Sequence, residues 1–222
     1  MAHPCVGPAS AGSVRPNSGV PGAAALKRPL SAILREETRQ AHLSLECTPA
    51  MRVLMDPCVT RDAYVAWLRN WAACWPAVEL ALEKNAPASQ ARHLMPRMRH
   101  HLLADDLRAL GVGSITEQPA MLVPDMSGDR WLGAAYVVKG SQMGSTVIAA
   151  HLRGRLGMSG PGISYFEAPR SEETLAPAKD WQAWCERLDA LGVTPRAAES
   201  AVDAARTLFG FLERRFSPLG AA

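Results

Sequence analysis

Apolar side chains recur at intervals of three and four residues from Pro29 onward, which is the period of an α-helix. No stretch alternates apolar and polar residues with the β-branched enrichment that is typical of strands. The pattern therefore predicts an all-α protein. The expected helices cover residues 31–48, a segment that begins near residue 60, and residues 89–110, 129–156, 179–191 and 194–216.

Local signals mark several helix ends. Ser31 is the expected N-cap of the first helix, because its side-chain oxygen can accept a hydrogen bond from a free backbone N–H. Pro49 ends this helix, since its ring cannot continue the hydrogen-bond pattern, and Gly111 ends the third one. Thr194 and Pro195 begin the last helix, where the missing N–H of proline does no harm.

Length and charge limit the classes of function. The 222 residues, 48% of them hydrophobic, suffice for one domain with a full core. A net charge of +3, from 24 basic and 21 acidic residues, is too small to predict nucleic-acid binding. No run of about 18 apolar residues occurs, so we expect no membrane span.

The cysteines and the N-terminal segment complete this picture. The five cysteines form no Cys-x-x-Cys pair, which indicates reduced thiols in a cytoplasmic protein. The first 25 residues are rich in Gly, Pro, Ala and Ser and lack the features of a secretory signal. We expect a disordered tail over 1–27, one helical domain over 28–216 and a C-terminal tail over 217–222.

His42 stands out among the six histidines because it lies on the predicted apolar face of the first helix. Glu46, one turn later, is placed to accept a hydrogen bond from the second ring nitrogen. Arg35 lies seven residues earlier and about 20° away on the same face. A heme site needs such a pair, an imidazole for the iron and a cation for the propionates, although a buried histidine bonded to a neighbour would look the same.

A second candidate segment covers residues 136–144. Gly140 and Gly144 lie about 40° apart on one helical face. The absence of both side chains lets the backbone approach a flat partner closely. Each glycine costs about 1 kcal/mol relative to alanine inside a helix, so two of them need a reason. A close contact between two helices is the alternative reason.

These two segments resemble those of bacterial heme oxygenases. Residues 34–46 are similar to their LR-x-x-T-x-x-x-H-x-x-x-E motif, and residues 136–144 to their Y-V-x-x-G-S-x-x-G motif. Weaker similarities extend over residues 28–216. The resemblance implies an all-α, single-domain heme-oxygenase-like helical bundle.

The resemblance also implies roles for individual residues. His42 corresponds to the iron ligand, Glu46 to its partner, and Gly140 and Gly144 to a kinked helix over the heme. Arg35 and Tyr136 match positions that hold propionates, and Ser141 takes the place of an aspartate that organises water in vertebrate relatives. Gln142 is a further candidate for ordering that water.

The implied activity is heme oxygenase, in which heme b is both cofactor and substrate. O₂ and external electrons would convert heme to biliverdin, carbon monoxide and ferrous iron. A ferredoxin or flavin reductase is the expected electron donor, and a phytochrome is one destination for the bilin.

Three alternatives carry different chemistry. A heme-binding or heme-storage protein of the same fold would keep the site without turnover. A diiron bundle needs Glu-x-x-His pairs, and no histidine of this chain has an acidic residue three positions earlier. Thiamin-degrading relatives need a catalytic cysteine, which nothing around the cysteines at 47, 58, 74 and 185 indicates.

Overall fold

The computed structural model describes residues 26–113, 122–168 and 176–217, and every regular element in them is a helix. The all-α prediction is therefore confirmed. In chain order the elements are α1 (Leu30–Glu46), α2 (Pro49–Val53), α3 (Arg61–Lys84), α4 (Ala88–Leu94), α5 (His100–Ala109), α6 (Arg130–Leu156), α7 (Ser164–Glu167), α8 (Pro177–Asp189) and α9 (Pro195–Phe216). The two predicted tails lie almost wholly outside the described residues.

Helix α9 organises the core, because both α1 and α6 pack along it. The α6 and α9 backbones approach each other closely at Gly133. A Cβ atom at Gly133 would lie 1.8 Å from the carbonyl oxygen of Ala201, so only glycine fits at this crossing. The helices α3, α5, α7 and α8 pack around this arrangement and enclose its apolar faces.

Several predicted helix ends agree with the structure. The Thr60 side chain accepts a hydrogen bond from the Ala63 N–H at 3.2 Å, and Thr194 accepts one from Ala197 at 3.2 Å. Pro195 is the first residue of α9. Each threonine oxygen thus accepts a hydrogen bond from a backbone N–H that has no partner inside the helix.

The predicted N-cap of the first helix is wrong. Pro29 precedes α1, and Ser31 is already inside the helix. The Ser31 hydroxyl and backbone N–H both donate to the Asp189 carboxylate, at 2.7 Å each. A long-range contact with the end of α8 therefore replaces the local cap.

The single helix predicted over 89–110 is also wrong. The structure divides this region into α4 and α5, and Met95, before Pro96, has an extended conformation with ψ 118°. Proline disfavours the helical conformation of the preceding residue and removes a backbone donor. The break turns the chain so that Arg99 becomes buried.

The segment between the predicted helices over 129–156 and 179–191, in which no helix is expected, contains the short helix α7. Buried Asp106 accepts hydrogen bonds from the backbone N–H groups of Gly162, Ser164 and Tyr165, at 2.9, 2.9 and 2.8 Å. A carboxylate at these free N–H groups stabilises a helix start that sequence periodicity does not reveal.

Candidate functional site

A cavity of about 500 Å³ lies among α1, α3, α6, α7 and α9. This volume is within the usual range for small-molecule and cofactor sites. Apolar and aromatic side chains form most of its lining, and the polar ones are concentrated on α1 and α6. The two helices that carry the candidate motifs therefore face one common space.

His42 lines this cavity, and no other histidine of the described residues does. Its side chain is 51% exposed, and its ring meets the edge of Phe209 at a centroid distance of 5.4 Å. The imidazole is thus open to a ligand instead of being enclosed in the core. That exposure argues against the alternative of a buried, internally bonded histidine.

The predicted hydrogen bond between His42 and Glu46 is not formed. The nearest atoms, Nε2 and Oε1, are 3.6 Å apart, which exceeds hydrogen-bonding distance. Glu46 nevertheless lines the cavity beside the histidine. Both side chains are more than half exposed, so each is free to change rotamer.

Two arginines of α1 lie on the cavity wall, Arg35 and Arg39. Neither forms an ion pair with any residue that the structure describes. Arg35 is among the residues predicted from the sequence, and Arg39 is not. The missed signal was spacing, because Arg39 lies one turn after Arg35 and only about 40° away from it on the helix.

Helix α6 contributes the second polar wall, with Tyr136, Gly140, Ser141, Met143 and Gly144. It is assigned as one helix from Arg130 to Leu156 that continues through both glycines. Tyr136, Gly140, Met143 and Gly144 share a face because they are related by spacings of three and four residues, and Ser141 lies at the edge of that face.

Neither glycine is needed for a close approach of two helix backbones. Apart from the backbone of its own helix, a Cβ atom at Gly144 would have one neighbour within 4 Å, the Ile148 side chain one turn later at 4.0 Å. A Cβ atom at Gly140 would meet only the Trp181 ring, at 3.8 Å. No backbone of a second helix comes within 4 Å of either position among the described residues. The close-packing role belongs to Gly133, and the space at Gly140 and Gly144 belongs to the cavity.

Ser141 and Gln142 face different surroundings. The Ser141 hydroxyl lines the cavity and donates to the Val138 carbonyl at 2.8 Å. Gln142 does not line the cavity; its Nε2 donates to the Arg97 carbonyl at 2.8 Å and its side chain is buried. The structure therefore does not bring Gln142 to the predicted site. Gln142 lies two residues after Gly140 and therefore about 200° around the helix, which indicates already from the sequence that the two face opposite sides.

Tyr136 and Arg35 both line the cavity, near enough for the arginine charge to act on the tyrosine hydroxyl. Burial raises the pKa of the Tyr136 hydroxyl to about 12, while the Arg35 charge and a hydrogen bond with Thr38 act in the opposite direction. The tyrosine ring packs against Trp181 at a centroid distance of 5.3 Å. The sequence prediction placed Arg35 and Tyr136 together, and the structure does so, with a phenol that stays protonated.

A stack of three indoles forms the apolar side of the cavity. Trp67 and Trp71 stack at 5.3 Å and Trp71 and Trp75 at 4.3 Å, with Phe166 and Tyr165 of α7 beside them. These three indoles of α3 therefore both pack in the core and border the cavity.

The third indole of the stack, that of Trp75, is bonded to the buried carboxylate of Glu79. Trp75 Nε1 donates to Glu79 Oε1 at 2.9 Å. Glu79 Oε2 accepts from the backbone N–H groups of Arg99 and His100, at 2.8 and 2.7 Å, and lies 2.9 Å from His100 Nδ1. Glu79 thus fixes the turn before α5 to the cavity wall.

Comparison with known proteins gives the family. The heme oxygenase family model matches residues 28–217. The chain belongs to the heme oxygenase family.

Solved heme oxygenases share the fold. The enzyme from Leptospira interrogans is 21% identical with a TM-score of 0.68, over 86% of this chain and all of that one. The enzyme from Neisseria meningitidis is 24% identical with a TM-score of 0.63, over 86% and 91% of the two chains. Heme oxygenase-1 from Synechocystis, solved in complex with heme, is 17% identical with a TM-score of 0.67, over 86% and 92%. No curated protein sequence matches this chain significantly.

Two further properties of this heme oxygenase family member concern metals and membranes. No three His, Cys, Asp or Glu side chains converge into a metal site within 26–113, 122–168 and 176–217. In the same residues, no helix combines the length and apolar character that crossing a membrane requires.

Proposed function

We propose that this protein is a heme oxygenase that opens the ring of heme b, with biliverdin, carbon monoxide and ferrous iron as products. One observation carries the proposal: the cavity has a ligand-accessible imidazole on α1 and a side-chain-free glycine face on α6. Together with family membership, this combination supports a flat, iron-containing substrate.

The cavity residues fit heme in shape and chemistry. The indole stack and the α9 side chains offer an apolar surface to a porphyrin, and the empty Cβ position at Gly144 leaves room for it. His42 supplies an imidazole nitrogen for iron. Arg35 and Arg39 supply cations for the two propionate carboxylates of heme. Such charge-assisted contacts are stronger than neutral hydrogen bonds.

When bound, heme supplies the iron that takes up O₂ and electrons, and it is itself oxidised. Each group of the chain then has a separate role. His42 would hold the iron, Arg35 and Arg39 would orient the ring, and Tyr136 would donate a hydrogen bond from its protonated hydroxyl to a heme carboxylate. The backbone at Gly140 and Gly144 would limit the space on the α6 side of the ring.

Ser141 is suited to holding a water molecule. Its hydroxyl proton is committed to the Val138 carbonyl, so the oxygen lone pairs remain available to the cavity. A water that donates to Ser141 Oγ would be held on the α6 side of the cavity, where it could act as a proton donor. Glu46 and Gln142 have different parts in this proposal: Glu46 partners His42 after a rotamer change, whereas Gln142 anchors α6 from behind.

The expected electron donor is a ferredoxin or a flavin reductase, and the expected location is the cytoplasm, as for a protein with reduced thiols. A phytochrome that accepts the bilin is a partner of the same proposal. Heme binding or storage without turnover is the alternative function.

The deciding experiment mixes the purified protein with hemin, then adds ascorbate or a ferredoxin system in air, and records visible spectra. We expect the Soret band to decay while bilin absorption appears and carbon monoxide is released. A heme complex that stays intact under these conditions would establish the binding protein instead of the enzyme. No complex at all would overturn both.

A further inference from the structure

Helix α8 makes polar contacts with both walls of the cavity, and these contacts are distinct from the residues assigned above. Its fourth residue, Asp180, pairs with Lys139 of α6, and its last residue, Asp189, is bonded to Ser31 of α1. The two aspartates are about 14 Å apart along the helix axis. One rigid element thus spans from the α6 wall to the α1 wall.

The contact with α6 is a buried ion pair. Lys139 Nζ lies 2.7 Å from Asp180 Oδ2, and the two side chains are only 5% and 4% exposed. Removing two charges from water costs free energy that their attraction often fails to recover. The pair is therefore better explained by the position it imposes than by the stability it adds.

The position imposed is that of Trp181 against Gly140. Lys139 and Gly140 are neighbours in α6, as are Asp180 and Trp181 in α8, so the ion pair sets the register of both. In this register the Trp181 ring lies 3.8 Å from the Cβ position of Gly140 and lines the cavity.

The contact with α1 fixes the opposite side. Ser31 donates from its hydroxyl and its N–H to the two oxygens of Asp189, at 2.7 Å each. Ser31 lies one turn before Arg35 on the same helix. The Asp189 contact therefore determines where the α1 end that carries Arg35 stands relative to α8.

The part of α8 between the two aspartates is itself anchored. Trp181 stacks on Trp184 at 5.7 Å, and Trp184 Nε1 donates to the Leu94 carbonyl at 2.9 Å. The helix thus has a third attachment, to the end of α4. This attachment holds α8 in place even if α1 or α6 moves.

We propose that α8 sets the distance between α1 and α6 at the Arg35–Tyr136 end of the cavity, through the Lys139–Asp180 and Ser31–Asp189 contacts. These four are positioning residues that act on the bound ring only through Trp181, Tyr136 and Arg35. The consequence for heme rests on the proposed function. The consequence for the two helices does not.

Two variants test the proposal. Asp189→Ala removes both bonds to Ser31 at a partly buried site, and Lys139→Met combined with Asp180→Leu replaces the ion pair by apolar side chains. Such apolar replacement of a buried pair is often tolerated by the fold. Loss of a hydrogen bond to a charged group corresponds to about a tenfold change in an equilibrium or rate.

The measurements are hydrogen exchange in the heme-free protein and heme transfer to an excess of apomyoglobin. We expect faster exchange in α8 and in the first turns of α1 for Asp189→Ala, and in α8 and the middle of α6 for the double variant. We expect heme to leave either variant about tenfold faster than the unaltered protein. Asp189→Glu should restore part of the slow transfer, since it returns a carboxylate.

Two controls separate positioning from general destabilisation. Asp203→Ala removes the exposed Arg130–Asp203 pair that joins α6 to α9, a contact of 2.6 Å. Leu103→Ala lowers core stability in α5, away from the cavity. Neither should change heme transfer more than about twofold.

The proposal would be overturned if Asp189→Ala and the folded double variant showed the same hydrogen-exchange and heme-transfer rates as the unaltered protein. If the double variant fails to fold, Asp189→Ala decides alone. If the unaltered protein binds no heme, the proposed function fails, and hydrogen exchange still decides the role of α8.

Discussion

The surroundings of a side chain decide its role, as two glutamates on different helices show. Glu46 is more than half exposed on the cavity wall and 3.6 Å from His42, whereas Glu79 is 1% exposed and is bonded by three donors besides the His100 ring. A carboxylate in water is free to rearrange, and one in the interior is held by every donor around it. The first can adapt to a ligand, and the second builds the wall.

Glu79→Gln should therefore lower stability. The amide keeps one acceptor oxygen and turns two donors toward N–H groups, which leaves backbone donors without a partner. We expect a loss of about 2 kcal/mol in the free energy of unfolding, measured by urea denaturation. Glu46→Gln, an exposed change, should alter it by less than about 0.5 kcal/mol. Equal effects of the two substitutions would contradict the structural role of Glu79.

His42→Ala should remove the histidine-ligated spectrum of the ferric heme complex, because no other histidine among the described residues lines the cavity. Added imidazole should restore that spectrum, since the substitution leaves a gap of the right shape. His93→Ala, on a side chain away from the cavity, is the matched control. An unchanged spectrum in His42→Ala would show that another group holds the iron.

At the scale of elements, α6 contains two kinds of glycine in one helix. Gly133 is required by the crossing with α9, whereas Gly144 faces the cavity. Both cost helix propensity, but only the first is compensated by packing within the protein. The second is compensated only if a ligand uses the space.

Opposite outcomes follow for substitutions at these two positions. Gly133→Ala should destabilise the fold by about 3 kcal/mol, because its Cβ would overlap the Ala201 backbone. Gly144→Leu should leave the unfolding free energy of the heme-free protein unchanged or raise it by up to about 1 kcal/mol, since leucine is the better helix former. The same change should impair heme binding or ring opening.

Urea denaturation and heme titration of the two variants give the comparison. Heme binding and turnover that are normal in Gly144→Leu would show that the glycine face does not contact the ring. A stable Gly133→Ala protein would show that α6 and α9 can separate at their crossing without cost.

At the scale of the whole molecule, burial of thiol and phenol groups makes the free energy of unfolding fall at alkaline pH. Burial raises the pKa of the Cys74 thiol from 9.0 to about 12, and it raises the pKa values of the Tyr64 and Tyr165 hydroxyls above their ordinary value. The folded protein keeps these protons at pH values where the unfolded chain releases them. The resulting stabilisation is complete below pH 9 and is lost as pH rises.

We therefore expect the urea midpoint to fall steadily between pH 9 and pH 11. Cys74→Ala should reduce the part of the fall that begins near pH 9, because it removes the group with the lowest ordinary pKa of the three. A midpoint that stays constant over this range would mean that the buried groups ionise equally in both states.

The amino-acid sequence by itself determined the all-α class, most of the long helices and the Thr194 cap of the last one, because periodicity and capping act within a few residues. It also determined which residues are candidates for the iron and for the ring, since two motifs of adjacent turns carry them. The helical phase held even the information that Gln142 faces away from Gly140, although the prediction did not use it.

Only the tertiary structure decided which helix faces share a space. The first turn of α1, which contains Ser31, depends on Asp189, α7 depends on Asp106, and the turn before α5 depends on Glu79. Each partner is 20 or more residues away. The separate roles of Gly133 and Gly144 have the same origin, because identical residues in one helix meet a backbone in one case and a cavity in the other. Such contacts arise from packing between elements, which no local pattern along the chain encodes.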